Sequence, residues 1–337
     1  MSVVRQLIIL AIGICLFTGC DSSGPQNEGP TPYVLEIPKG FPDMPIPEDN
    51  PMTEEGIALG KKLFFDPILS IDSTVSCASC HAPSTGFSDT AQFSAGVAGE
   101  TNRNSMPIIN AGWMKSLFWD GRAKSLEDQA RHPVENKVEM GERWKNVVAK
   151  LQRHPEYPLL FSEAFGTTEI STKLATKAIA QYERTLISAN AKYDRYRAGE
   201  VEFTEQEKRG FNLFFSEKAD CFHCHGTRLF TNNRYHNNGL EDYYQDAGLA
   251  DITERPHDTG KFKTPTLRNI AVTPPYMHDG RFNTLEEVVD FYNEGTMAPE
   301  TIDPLIGPNR RLNLSEEDKA ALVAFMKTLT DEEFLSQ

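Results

Sequence analysis

An all-α fold of two tandem units is what this sequence predicts, and three observations predict it. The pentad Cys-x-x-Cys-His occurs twice, as Cys77-Ala78-Ser79-Cys80-His81 and Cys221-Phe222-His223-Cys224-His225. A similar run precedes each pentad, Gly60-Lys61-Lys62-Leu63-Phe64-Phe65 and Gly210-Phe211-Asn212-Leu213-Phe214-Phe215, and a second echo follows each. Asp120-Gly121-Arg122 leads to Ser125-Leu126-Glu127, as Asp279-Gly280-Arg281 leads to Thr284-Leu285-Glu286. Alternating strand patterns are scarce. Two thiols three positions apart can form thioethers with haem vinyl groups, and the imidazole directly after them is placed to ligate the iron. Zinc would want four ligands in each site, and neither pentad has a second cysteine pair nearby. The units therefore read as two cytochrome c-like domains, each with one covalently bound haem c and with long loops where haem replaces much of the core.

The elements follow in chain order. Residues 1–20 read as a lipoprotein signal peptide: Arg5 is the charged region, Leu7 to Phe17 is too short to span a bilayer, and Thr18-Gly19-Cys20 closes it. Cys20 is the expected lipidation site, with a cleaved signal and an incidental Cys20 as the plainer alternative. Cys15 falls in the discarded part, so no cysteine remains for a disulfide, which suits a periplasmic protein anchored to a bacterial membrane by lipid. Residues 21–50 form a Pro/Gly-rich linker, expected as a tether, with a strap packed along the first domain as the alternative. The N-terminal domain is expected over 51–195 and the C-terminal domain over 196–337. Thr53 and Thr204, each followed by glutamates, mark helix starts. Leu174, Ala178, Ile179, Tyr182 and Leu186 keep helical spacing, and their helix is expected to bridge the domains. Ser315 with Asp318 reads as a capping box before Leu322, Phe325, Met326 and Leu329. With Lys+Arg 34 against Asp+Glu 48, the formal net charge is −14, which argues against nucleic acid and for a basic or mixed redox partner.

With these residues in view, the chain resembles the bacterial dihaem cytochrome c peroxidases and their relative MauG, from Pro51 to Leu329. The runs that carry the resemblance are Phe118-Trp119-Asp120-Gly121-Arg122, Pro133-Val134-Glu135-Asn136-Lys137-Val138-Glu139-Met140 and Thr273-Pro274-Pro275-Tyr276-Met277-His278-Asp279-Gly280. The resemblance implies that the N-terminal haem meets hydrogen peroxide while the C-terminal haem relays electrons. It implies Glu139 as acid/base carboxylate, Gln129 as its polar companion and Trp119 as a bridge between the haems. Read without it, Glu139 is a surface charge and Trp119 a packing residue.

Many family members block the first iron with a loop histidine, but the equivalent loop, Phe93 to Arg103, holds none, and Gly96 stands near the usual ligand position. An open first haem is the expectation. His81 and His225 are the lower ligands of irons 1 and 2. Above the second iron the resemblance points to Tyr292, the MauG-like choice, with Met277 and Met297 as alternatives. It also implies a calcium ion held by the Asn104 side chain and the carbonyls of Thr273 and Pro275, hard oxygen donors suited to calcium. The implied activity is reduction of hydrogen peroxide to water with electrons from a small cytochrome c or cupredoxin. The alternatives are a MauG-like oxidase acting on Trp or Tyr of a partner protein, and a dihaem electron carrier without catalysis. A homodimer is possible in this family.

Overall fold

Helix-on-helix crossings at two glycines organise the chain. A computed structural model describes residues 29–307 and 311–336, so the signal peptide and Cys20 lie outside the described residues. Its longer helices are α1 Glu54–Phe65, α2 Trp144–Arg153, α3 Tyr157–Phe165, α4 Thr172–Arg184, α5 Glu205–Phe214, α6 Leu285–Glu294 and α7 Glu316–Lys327. In the first unit α1 crosses α4, and in the second α5 crosses α7. A Cβ at Gly60 would lie 1.9 Å from the Ala178 carbonyl oxygen, and a Cβ at Gly210 would lie 1.9 Å from that of Ala321. Only glycine lets the backbones approach this closely. One turn on, Phe64 meets Tyr182 at 5.3 Å between ring centroids and Phe214 meets Phe325 at 5.1 Å. Both phenylalanines are buried, and each contributes about 1.5–3 kcal/mol. The glycine-to-phenylalanine spacing of the first echo is thus a crossing code used twice.

The Asp-Gly-Arg echo is also one device built twice. Leu117 pairs with Ala123 and Tyr276 with Phe282, closing tight hairpins with Gly121 and Gly280 in the left-handed region. Arg122 and Arg281 bond back to Asp120 and Asp279. Ser125 and Thr284 then cap the helices Leu126–Gln129 and α6 by accepting from Asp128 and Glu287 backbone N–H groups. A third echo escaped the sequence reading. Asn110 and Asn269, both left-handed at φ 56, start short 3-10 turns, and their N–H groups donate to the carbonyls of Leu186 and Leu329.

Among the described residues strands are minor: two antiparallel ladders of two residues each, Ala95–Gly96 with Gly99–Glu100 and Tyr235–His236 with Phe262–Lys263. The described residues are mainly α, the coarser form of the all-α expectation.

Four expectations need correction. From Thr31 onward the linker is no tether; it is a strap lying across both units. Leu35, Ile37, Phe41, Met44 and Ile46 pack with Trp113 of the first unit and Leu229 of the second. The Trp113 indole donates to the Pro42 carbonyl at 2.8 Å, and the Arg268 guanidinium lies over the Phe41 ring. The strap ends on Asn50, buried among Gln181, Glu127 and Lys177. Second, α4 does not bridge the domains; it closes the first one, its apolar face filled by α1, α3 and the helix Leu126–Gln129. Third, the boundary at 195/196 falls inside the helix Lys192–Ala198, whose Tyr193 belongs to the second core and whose Asp194 pairs with Arg268. The crossover is the stretch 187–191, held by Asp331, which accepts from the backbone N–H groups of Ala189 and Asn190. Past α7 the chain returns to the first unit, where Phe334 packs on Phe87. The Ser315 cap is present, but Asp318 bonds Arg209 and Lys218 rather than completing a box.

Candidate haem sites

Each pentad lies on one short helical turn, Cys77–Cys80 in the first unit and Phe222–His225 in the second. His81 Nδ1 meets the Phe87 carbonyl oxygen at 3.1 Å, and His225 Nδ1 meets that of Phe230 at 2.8 Å. A carbonyl only accepts, so Nδ1 carries the proton and Nε2 keeps its lone pair for a metal. Phe87 and Phe230 are both left-handed, at φ 57 and 50, which turns each carbonyl toward its ring. Burial lowers the pKa of both imidazoles, that of His225 to about 4, so both stay neutral as ligation requires. Burial also raises the Cys77, Cys80 and Cys224 thiols, the last to about 11, which disfavours thiolate metal sites.

The pentads face cavities of different character. The first is a single space of about 470 Å3 walled by Cys77, Cys80 and His81, by apolar groups such as Leu69, Ile109, Leu126 and Ile179, and by Gln129 and Glu139. A thioether pair, one imidazole and a large, mainly apolar slot fit a haem. His81 is the sole histidine among the lining residues. Burial pushes the Glu139 carboxyl above its ordinary range, opposed by the Arg122 charge and by the Asn136 side chain, which donates to Oε1. The Gln129 amide makes no hydrogen bond to a described residue and remains available to a ligand. Gly96 packs against the Glu139 segment: its Cβ would meet the Val138 carbonyl oxygen at 2.0 Å, and Val97 and Ala98 N–H groups donate to the carbonyls of Glu139 and Val138. The loop that lacks a histidine is thereby pinned to the backbone of the candidate acid/base.

Around the second pentad are two spaces of about 170 Å3 each, both lined by Cys224, His225 and Tyr292. Leu267, Val288 and Met326 line both, so this wall is mostly apolar. Asn238 Nδ2 stands 3.3 Å from the Tyr292 hydroxyl and 3.5 Å from the Met277 sulfur, so two of the three upper-ligand candidates converge. The structure does not bring Met297 to them; it is half exposed and lines neither space. Burial pushes the Tyr292 phenol up to about 12, so a phenolate there needs a metal to hold it.

Trp119 lines both the first cavity and one of the second pair, and its indole donates to the Asn104 carbonyl at 2.8 Å. Asn104, Thr273 and Pro275 share that second cavity's wall. The Asn104 amide hydrogens serve the Ala91 and Gln92 carbonyls, which leaves Oδ1 as an acceptor.

This geometry can be set beside known proteins. The family model "Di-haem cytochrome c peroxidase" matches residues 54–202. MauG of Methylorubrum extorquens is 41% identical over 295 residues, covering 86% of this chain and 82% of that protein. The chain belongs to the di-haem cytochrome c peroxidase family. Cytochrome-c peroxidase IdrP1 of a Pseudomonas species is 37% identical over 86% of this chain and 84% of its own length. A crystallised MauG-like protein associated with microbial copper homeostasis superposes with a TM-score of 0.85 at 37% identity, covering 90% of this chain and 97% of that one. Membership implies two haem c groups, in agreement with the cavity space beside each pentad.

Two charged residues at the sites escaped the sequence reading. Glu183, on α4 with its carboxyl raised to about 8 by burial, and Lys263, with its ammonium lowered to about 8, both line the first cavity. The signal for Glu183 was present: a carboxylate next to Tyr182, on a helix otherwise read for its apolar face. Lys263 carries no such signal, because its burial comes from the approach of the two units.

Proposed function

We propose that this chain reduces hydrogen peroxide to water at the first haem, with two electrons delivered one at a time from a small periplasmic redox protein through the second. The observation that supports it most is that Gln129 and Glu139 both line the cavity that also holds Cys77, Cys80 and His81. When bound, the first haem would supply an iron able to take peroxide and accept its oxidising equivalents. The protein's part is to hold and move a proton. Glu139 would accept a proton from one oxygen of the peroxide and return it to the other, which leaves as water. Two further protons and two electrons convert the remaining oxygen to a second water. The Gln129 amide orients the peroxide, and Asn136 keeps the Glu139 carboxylate aimed inward.

Trp119, on the walls of both cavities, shortens the path between the haems. Its replacement by Phe leaves both optical spectra in place and slows transfer. A calcium ion with Asn104 Oδ1 and the carbonyls of Thr273 and Pro275 as ligands would tie the units together at that wall. Export, lipid anchoring at Cys20 and a dimer complete the proposal; no helix among the described residues is long and apolar enough to cross a membrane.

The test is peroxide reduction by Glu139→Gln holoprotein, whose side chain cannot shuttle the proton. Loss of turnover with both haems intact supports the assignment, and unchanged turnover refutes it.

A MauG-like use of the oxidant on a partner's Trp or Tyr is the second reading, favoured by Tyr292 lining both spaces of the second site while Met277 lines one. Fast turnover with a reduced small cytochrome argues for the peroxidase, and slow turnover for the protein oxidase.

A further inference from the structure

The wall shared by the two haem sites contains one charge that the mechanism leaves without a task. Lys263 is 4% exposed, yet its ammonium has no hydrogen bond or ion pair with any described residue. A buried, unpaired ammonium is costly, and proteins keep one where something anionic is to be bound. It lines the first cavity and also the second-site space that holds Trp119 and Met277. Its backbone N–H donates to the Trp119 carbonyl at 2.8 Å, which fixes the residue beside the indole. Of the carboxylates that line the first cavity, Asp120 is bonded to Arg122 and Arg103 and Glu139 to Asn136, while Glu183, whose Oε2 has no partner among the described residues, has no charge interaction with Lys263.

We infer that Lys263 receives a haem propionate, its ammonium pairing with that carboxylate at the wall common to both haem sites and beside Trp119. The inference rests on haem occupying both pentads. The anion is carried by the ligand rather than by the protein, which accounts for the absence of a counter-charge among the described residues. Pairing has a second consequence. A bare ammonium next to an indole raises the energy of removing an electron from it, and a carboxylate on that ammonium cancels the effect. Lys263 is thus a positioning residue for the Trp119 relay.

The test uses Lys263→Gln and Lys263→Arg holoproteins, after a pyridine haemochromogen count has established two haems in the wild type. A count below two sinks the haem assignment itself, before this inference is reached. With two haems present, Lys263→Gln is expected to shift the propionate bending mode of one haem in resonance Raman. It should also lower that haem's midpoint potential, because its propionate is left uncompensated. Lys263→Arg should restore both toward the wild type. Unchanged modes and potentials of both haems in the Gln variant overturn the inference. If that variant fails to load haem, redox-induced infrared difference spectra of the wild type decide. With the propionate carboxyls labelled with carbon-13, an ionised labelled carboxylate that responds to reduction supports the pairing, and labelled signals that are all protonated acid overturn it.

Discussion

The two halves of this molecule are built on one scaffold and lined for different work. Gly60 on Ala178 and Gly210 on Ala321, His81 on Phe87 and His225 on Phe230, and the hairpins at Gly121 and Gly280 are the same contacts made twice. The difference is in what faces the haem. Tyr182 and Phe325 occupy the same place in the two crossings, so the next residue is Glu183 in the first unit and Met326 in the second. The first site adds Gln129, Glu139, Arg103 and Arg122 to its walls, whereas leucine, valine and methionine dominate the second. Within the second loop pair, Trp119 corresponds to His278 and Phe118 to Met277. A polar site suits proton transfer to a small substrate, and an apolar one with a filled upper position suits electron transfer without chemistry. The frame is the same in both halves, and a handful of differing residues lines each one differently.

Glu139→Gln should break the comparison most strongly, lowering peroxide turnover by roughly 100- to 10,000-fold while leaving the second haem's spectrum unchanged. Burial raises the Glu139 pKa, and the carboxyl must be ionised to accept a proton. The wild-type kcat/KM for peroxide should therefore fall as pH drops through a value above the ordinary glutamate range, and the Gln variant should lack that limb. A pH profile that is the same in both proteins removes Glu139 from the proton path.

The shared scaffold is tested by Gly60→Val and Gly210→Val. Each places a side chain where a carbonyl already lies, and each should cost about 1–3 kcal/mol in thermal or denaturant unfolding. Similar losses sharpen the equivalence of the crossings, and a loss at one glycine alone breaks it.

Trp119→Phe should have a smaller effect, slowing electron transfer between the haems in flash or stopped-flow experiments with both resting spectra retained. Turnover and transfer at the wild-type rate would leave the indole a packing residue.

The mildest change is expected from Glu183→Gln. Its carboxyl, raised to about 8 by burial, is neutral below that pH and charged above it. A carboxylate near the iron favours the ferric state, so the wild-type potential of the first haem should fall as pH rises through about 8. In the Gln variant that fall should disappear while the potential at lower pH stays the same. Spectropotentiometry on both sides of that pH checks it.

Much of this was readable in the chain because it lies in local spacing. The pentads, the glycine-to-phenylalanine runs and the Asp-Gly-Arg turns each encode a contact within a few residues or a crossing repeated twice, and the caps at Thr53, Thr204 and Ser315 stand where their residue types place them. What was misread depends on contacts distant in sequence. The strap looked like a tether because its apolar residues have no period, yet Phe41 and Met44 find Trp113 about seventy positions on. Helix α4 was assigned as a bridge because its periodic face gives no hint of which neighbour fills it. Lys263 went unnoticed because nothing around it in the sequence marks a buried cation.

By this division of roles the first iron should keep an open face while the second is closed on both sides. Electron paramagnetic resonance of the fully ferric holoprotein, paired with resonance Raman spin-state markers, measures this most directly. One high-spin haem, five-coordinate or capped by water alone, is expected alongside one low-spin six-coordinate haem. Two low-spin six-coordinate haems, with nitrogen ligands on both faces of the first iron, would contradict it.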